Sequence, residues 1–299
     1  MANPAITLKQ LKLLDAIVRH NSFSLAAKEM YLSQPAVSLQ IKSLEETIGQ
    51  PLFEKINKQI RLTEVGKIVL DTAHSVHRHI EKMHAGLDYL TGEVIGSLDI
   101  AVVTSAKYFL PSFLGEFLQL YPKVIPRLTV TNQATMLNAL SQDRHNLYIM
   151  GQIPKSLKVK SRPFLENILE VVASPLHPLC QKKKVSLAQL AKERFLVREI
   201  GSGTRKATNK IFSSQNITIK PYMELGDTGA IKNAVMANLG IAVLSRHSIK
   251  LELETGGIAI LDATDFPLHR HWYAIYPNEK SLSIVTKTFL DFLMTKEPR

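Results

Sequence analysis

The tightest constraint on this chain lies in residues 22–49, where two helix-forming stretches stand only three residues apart. The first is Ser22-Phe23-Ser24-Leu25-Ala26-Ala27-Lys28-Glu29-Met30. Ser24 reads as its cap, and Ala26 and Ala27 let another helix come close. The break is Tyr31-Leu32-Ser33. Ser33 then caps a second helix with Pro35 in its first turn, where a missing N–H costs nothing. Its apolar residues Ala36, Val37, Ile41, Leu44 and Ile48 end at Gly49, a natural stop. Ahead of both, Leu8, Leu11, Leu14, Ile17 and Val18 repeat at helical spacing between a Thr7 cap and Asn21.

A short helix, a tight turn and a longer helix with a polar leading face make a helix-turn-helix. In such motifs the start of the second helix enters the major groove of DNA. The expected readers are Ser33, Gln34, Pro35, Ala36, Ser38 and Gln40, with Lys42 one turn further on, better placed for phosphate. Gln and Ser can read base edges, and a proline ring can meet a thymine methyl.

Residues 51–63 read as a β-hairpin wing turning near Asn57, from which Lys55, Lys58 and Arg61 could reach phosphates. Thr63 caps a long helix over residues 64–90. Its seam of Val65, Val69, Thr72, Val76, Ile80, Met83, Leu87 and Leu90 is heptad-like with one stutter. Such an arm suits dimerisation, and paired readers suit a two-fold operator. On helical pattern alone, a generic three-helix interaction module remains an alternative.

The stretch Phe23-Ser24-Leu25-Ala26-Ala27 through Leu32-Ser33-Gln34-Pro35-Ala36-Val37-Ser38-Leu39-Gln40-Ile41-Lys42-Ser43-Leu44-Glu45 resembles the recognition motif of the LysR-type transcriptional regulators. Gly49-Gln50-Pro51-Leu52-Phe53-Glu54-Lys55 and Leu62-Thr63-Glu64-Val65-Gly66 are similar to that family's wing and linker start. Many members carry Arg where this chain has Leu39. The resemblance implies an α/β protein with an N-terminal winged helix-turn-helix and a linker-helix dimer. It further implies an effector region of two periplasmic-binding-protein-like α/β subdomains, and a dimer of dimers. The expected division is residues 1–63 for the DNA reader and 64–93 for the linker. The effector region is 94–299, with subdomain I at about 94–166 and 271–299 and subdomain II at about 167–270.

Charge refines this division. The 299-residue chain carries a formal +11, yet residues 1–90 hold 11 Lys and Arg against 9 Asp and Glu. The rest holds 26 against 17, a net of +9, so most of the excess lies outside the DNA reader. An anionic small ligand, or plain solubility, accounts for that better than DNA does.

Beyond the linker, strands alternate with helices, as in a parallel α/β sheet. Strands are expected at 98–103, 128–131, 146–150, 168–174, 195–197 and 240–244. Helices are expected at 108–120, 136–141, 185–190, 206–213 and 229–237. Gly96 and Ser97 read as a hinge, and the chain returns to the first subdomain from about His271.

Ligands of open α/β sheets bind beyond the carboxyl ends of strands. Thr104, Ser105 and Lys107 form one such loop, and Gly201, Ser202, Gly203, Thr204 and Arg205 another. Both open helices, whose free N–H groups attract anions. Asn132, just after the strand at 128–131, and Thr228, just before the helix at 229–237, complete the expected effector set. For any one hydroxyl, a simple N-cap is an equal alternative.

Thr104-Ser105-Ala106-Lys107-Tyr108-Phe109 and Arg198-Glu199-Ile200-Gly201-Ser202-Gly203-Thr204-Arg205 are similar to the Calvin-cycle, CbbR-like branch of the family. That similarity implies control of carbon-fixation genes. It implies a phosphorylated or carboxylated effector, or NADPH, and as partners double-stranded DNA with an interrupted palindrome, RNA polymerase and further copies of the chain.

Other chemistries lack their residues. His74, His77, His79 and His84 share a helix, but only His74 and His77 have ligand spacing and no carboxylate or thiolate completes a metal set. Cys180, the single cysteine, beside Lys182, Lys183 and Lys184, has no placed base except the nearby His177. Gly201-Ser202-Gly203 lacks the phosphate-loop and dinucleotide patterns, and no serine elbow stands out. No apolar run is long enough to span a membrane and no signal peptide reads at the start, so a cytoplasmic location is expected. The competing readings are a ligand receptor using only the α/β part, and a metabolic enzyme.

Overall fold

The computed structural model describes residues 6–56, 59–90, 93–278 and 282–295. Its contacts divide the chain into two compact units, Met1–His84 and Ala85–Arg299.

The first unit opens with α1 (Leu8–His20), α2 (Phe23–Glu29) and α3 (Gln34–Ile48). Thr7 starts α1 with a reciprocal capping box to Gln10, and Asn21 closes it in the left-handed region at φ 48°. The cap of α2 is Ser22, not the expected Ser24, because the Ser22 hydroxyl accepts the Leu25 N–H. Ser33 caps α3 as expected, with Pro35 in the first turn and Gly49 at φ 79° ending it. Leu13, Leu14 and Ile17 of α1, Ala26 and Ala27 of α2, and Val37, Ile41 and Leu44 of α3 close one core with Leu52.

Strands β1 (Phe53–Ile56) and β2 (Gln59–Leu62) pair antiparallel with Ile56 opposite Gln59. The expected turn at Asn57, and Lys58 with it, lie outside the described residues. The Thr63 hydroxyl then accepts the Gly66 N–H, opening α4 (Glu64–Leu90). Gly66 has a specific reason to be glycine: a Cβ there would sit 2.2 Å from the Leu52 carbonyl oxygen. Val65 and Val69, expected to begin the dimer seam, pack instead on the unit's own core. Exposed apolar residues on α4 include Ile68 and Met83.

The second unit is built on one nine-stranded sheet. Its first half holds β3 (Gly96–Val103), α5 (Leu110–Leu120), β4 (Val124–Thr131), α6 (Gln133–Ser141) and β5 (Leu147–Met150). Gly96 and Ser97 begin β3 and do not form a separate hinge. The helix expected at 108–120 is split, with a 3-10 turn at Ala106–Tyr108, because Pro111 can only sit in the first turn of a new helix.

Next comes β6 (Val159–Ala173), then α7 (Leu187–Leu190), β7 (Phe195–Arg198), α8 (Gly203–Ser214), β8 (Pro221–Leu225), α9 (Thr228–Met236), β9 (Ile241–Ser245), α10 (Lys250–Glu254) and β10 (Ala259–Ile260). The chain ends with β11 (Leu268–Pro277) and α11 (Ile284–Met294). The sheet order is β4-β3-β5-β11-β6-β9-β7-β8, with β10 also on β6. The sheet is mixed rather than parallel throughout: β3 runs parallel to β4 and β5, and β7 to β8 and β9, while β6 and β11 run antiparallel.

The β6–β11 pair runs from Val159 opposite Pro277 to Leu169 opposite Leu268, with one register shift between Trp272 and Tyr273, and joins two separately packed halves. Leu98, Ile100, Val102, Phe117, Trp272 and Phe289 belong to one core. Leu169, Val171, Phe195, Phe212, Ile241 and Val243 belong to another. The boundaries expected at 166/167 and 270/271 face each other on this ribbon, where Asn167 pairs with Arg270.

Candidate functional site

In the first unit, α3 presents the expected readers. Gln34 and Pro35 are exposed, as are Ser33 and Lys42, while Ala36, Ser38 and Gln40 are half-buried. The Ser33 oxygen accepts the Ala36 N–H at 3.3 Å, so its cap role occupies part of its bonding capacity. Gln34 Nε2 donates to Ser38 Oγ at 3.1 Å, which leaves the Gln34 carbonyl oxygen and its second N–H for a partner. Glu45, on the same helix, accepts the N–H groups of Leu52 and Phe53 and ties α3 to the wing. Arg61 is exposed on β2, and Lys55 pairs with Ile60 across the wing.

The second unit has a cleft where β6–β11 joins its halves. Thr104, Ser105 and Asn132 line it from the first half, and Ser202, Gly203 and Thr204 from the second. Two helix starts meet there. Asn132 Oδ1 caps α6 by accepting the Thr135 N–H at 2.9 Å, and Ser202 caps α8. Unpaired N–H groups at such starts favour an anion. Gly201 sits at φ 97°, in the left-handed region that favours glycine, and Gly203 packs beside the end of the Gln133 side chain.

Four expected residues go elsewhere. The Lys107 ammonium is 2.8 Å from Asp227 Oδ2. Burial would raise the Asp227 pKa, but the bonds from Lys107 and from the Ala230 and Gly229 N–H groups outweigh it and hold the carboxyl below its ordinary range. Arg205 donates to Glu224 at 2.6 Å and to the Arg198 carbonyl at 2.7 Å, away from the cleft. Thr228 is buried beneath Arg198, and Gly201 shapes the turn without lining the cavity.

The cleft also uses residues the sequence reading passed over, chiefly Gln133, Gly151, Asn167, Arg198, Glu199, Arg270 and Trp272. Arg198, at the end of β7, is 4 % exposed. It donates to Thr104 Oγ1 of the first half at 2.7 Å and to Thr228 Oγ1 of the second at 2.8 Å. Its fork also takes both Glu199 oxygens, at 2.8 and 2.9 Å, so this pair is neutral overall. Arg270 differs. It donates to the carbonyls of Gly151 and Gly203, and among the described residues no carboxylate lies within ion-pair distance of it. Burial pushes its guanidinium pKa down from the ordinary value. A half-buried cation bonded only to carbonyls, facing two helix starts, is a seat for an anion. An arginine inside an apolar strand was the signal available for Arg198; nothing local marked Arg270.

Family comparisons decide the context of this geometry. Residues 8–67 match the bacterial regulatory helix-turn-helix protein model of the lysR family, and residues 91–297 match the LysR substrate binding domain. The chain belongs to the LysR family of transcriptional regulators. It is 43 % identical to the HTH-type transcriptional activator CmpR of Synechocystis sp. over 97 % of this chain and 96 % of that one. It is 40 % identical to the RuBisCO operon transcriptional regulator of Allochromatium vinosum, over 98 % and 97 %. These relatives are named as regulators, not enzymes, and they place the chain in the carbon-fixation branch of the family. The Synechocystis PCC6803 CcmR regulatory domain, solved with 2-PG, is 40 % identical with a TM-score of 0.64, covering 67 % of this chain and 96 % of that one. Full-length CbnR, solved with its target DNA, shares the fold at a TM-score of 0.73 and 19 % identity, covering 97 % and 99 %. Among the described residues no helix is long and apolar enough to cross a membrane, and no His, Cys, Asp or Glu group could hold a metal.

Proposed function

We propose that this LysR-family regulator binds a small phosphorylated acid of the 2-phosphoglycolate class in its cleft and thereby controls genes of carbon fixation or inorganic-carbon supply. The observation that carries the effector class is Arg270, a half-buried guanidinium without a carboxylate partner, opposite the starts of α6 and α8. Thr104, Ser105, Asn132, Ser202, Gly203 and Thr204 supply hydroxyls and N–H groups around it. The relative solved with 2-PG supports the same chemistry.

In this reading the anion binds one pose of the two halves more tightly than others and shifts the population toward it. Gln34, Pro35, Ala36, Ser38 and Gln40, with Ser33 at the cap, read an interrupted palindrome. Lys42, Lys55, Lys58 and Arg61 bind its phosphates. The working protein is a cytoplasmic dimer of dimers that acts on RNA polymerase as an activator.

Calorimetric titration of the full-length protein with 2-phosphoglycolate tests the effector. Arg270→Met, which strands no buried acid but removes the bonds to the Gly151 and Gly203 carbonyls, is expected to stay folded with a lowered melting temperature and to weaken binding about tenfold or more, the value of a charge-assisted bond. Unchanged affinity in that folded variant would sink the assignment of Arg270. No binding by the unaltered protein would sink the effector class itself.

A further inference from the structure

Helical spacing sorts α3 into rows. Val37, Ile41 and Leu44 are buried, so the row farthest from them is Pro35, Leu39, Lys42 and Glu46. All four are exposed, Leu39 to 69 %. A single exposed leucine on an ordinary surface needs no explanation. This one stands one turn from Pro35 and one turn from Lys42, on the outermost line of the helix that a helix-turn-helix sends into the major groove. Beside it, Gln34 and Ser38 form a hydrogen-bonded polar column at the same i, i+4 spacing. The outer face of α3 therefore offers a polar column, Gln34–Ser38, next to an apolar one, Pro35–Leu39.

The apolar group that the major groove presents is the thymine C5 methyl. An aliphatic side chain can neither bond a phosphate nor accept from a base edge. We infer that Leu39 is a specificity-determining residue: it packs on a thymine methyl and makes the half-site demand thymine at that position. The inference rests on α3 being the reading helix, and it adds to the polar readers a contact that acts through shape and desolvation. Because Leu39 releases no counterions, its removal leaves the salt dependence of binding unchanged.

The test begins with an operator selected from random duplexes by the full-length protein. Each thymine is then replaced singly by deoxyuridine, which removes only the methyl, and binding is followed by fluorescence anisotropy. At one thymine per half-site the replacement is expected to weaken the unaltered protein about fourfold, the worth of one buried methyl. Leu39→Ala is expected to bind the thymine operator at least as weakly and to ignore the replacement at that position, while responding normally at other thymines. An exposed helical Leu→Ala change should leave the melting temperature in place. Unchanged affinity of Leu39→Ala, or the same uracil sensitivity at every position, would overturn the inference. A change in its sedimentation coefficient would make Leu39 a contact between copies and overturn it as well. Failure of the unaltered protein to select any operator would instead remove the reading of α3 on which the inference stands.

Discussion

The two units hold polar groups ready for a partner in opposite ways. In Met1–His84 the candidate contacts hang from one helix and one hairpin, within about thirty residues of each other, and those on the helix are exposed or half-buried. In Ala85–Arg299 they come from β3, α6, β7, α8 and β11, and several are buried. A surface that reads a long duplex must be accessible and needs little support beneath it. A site that grips a small anion must exclude water, so each charge it buries needs a bonded scaffold of its own. The contrast predicts that single changes in the second unit act on stability and ligand together, whereas changes on α3 act on DNA alone.

The largest expected effect falls on Arg198. It is buried, and it holds Glu199, Thr104 and Thr228 at once, with side-chain exposures of only 3 % for Arg198 and 17 % for Glu199. Arg198→Met leaves the Glu199 carboxylate without its counter-ion and the two halves without one of the bonds they share. The expected loss is roughly 3–5 kcal/mol, the usual result of removing one partner of a buried pair. Scanning calorimetry should show a lower transition for the second unit and an unmoved one for the first. Equal loss in both would break the comparison, because the units would then not melt separately.

That same contrast explains what could be read from the sequence. The caps Thr7, Ser33 and Thr63, the stop at Gly49 and the proline in the first turn of α3 are local signals, and each marks a boundary where the structure has one. The loops at Thr104 and Ser202 were legible for the same reason, since a strand end followed by a helix start is a local pattern. Arg270 was not: its meaning depends on Gly151 and Gly203, which lie 119 and 67 residues away. Lys107 and Arg205 looked like ligand cations because neither partner is a local neighbour: Asp227 lies 120 residues from Lys107 and Glu224 19 residues from Arg205. The first half of β6 was missed because Lys160, Ser161 and Arg162 carry no apolar alternation, and its pairing with β11 alone makes it a strand.

A smaller effect tests the first unit. A Cβ at Gly66 would meet the backbone oxygen of Leu52 at 2.2 Å and Leu62 Cδ2 at 2.8 Å. Backbone cannot step aside as a side-chain tip can. Gly66→Ala is therefore expected to cost about 1–3 kcal/mol through overpacking. The loss should appear in the first transition and in DNA affinity, with calorimetric affinity for the effector unchanged. A loss of effector affinity would show that the cleft depends on the wing junction and would blur the division drawn above.

The smallest effect concerns acid. On the first unit, Arg19 donates to Glu29 at 2.6 Å and to Asp15 at 2.9 Å, and His20 also meets Glu29. The Arg19 bond, then the His20 bond, holds the Glu29 carboxyl at about 2, against an ordinary 4.5. Because the folded pKa is depressed, the stabilisation is fully present above about 4.5 and disappears as pH falls toward 2. Arg19 and Glu29 are 50 % and 37 % exposed, so solvent screening limits the contribution to less than about 1 kcal/mol. Denaturant melts of the first unit's transition at pH 6 and pH 3 should therefore differ less for Glu29→Gln than for the unaltered protein. Identical pH dependence in the two would mean that this network, unlike the buried Arg198–Glu199 pair, is a solvated contact with no measurable hold on the fold.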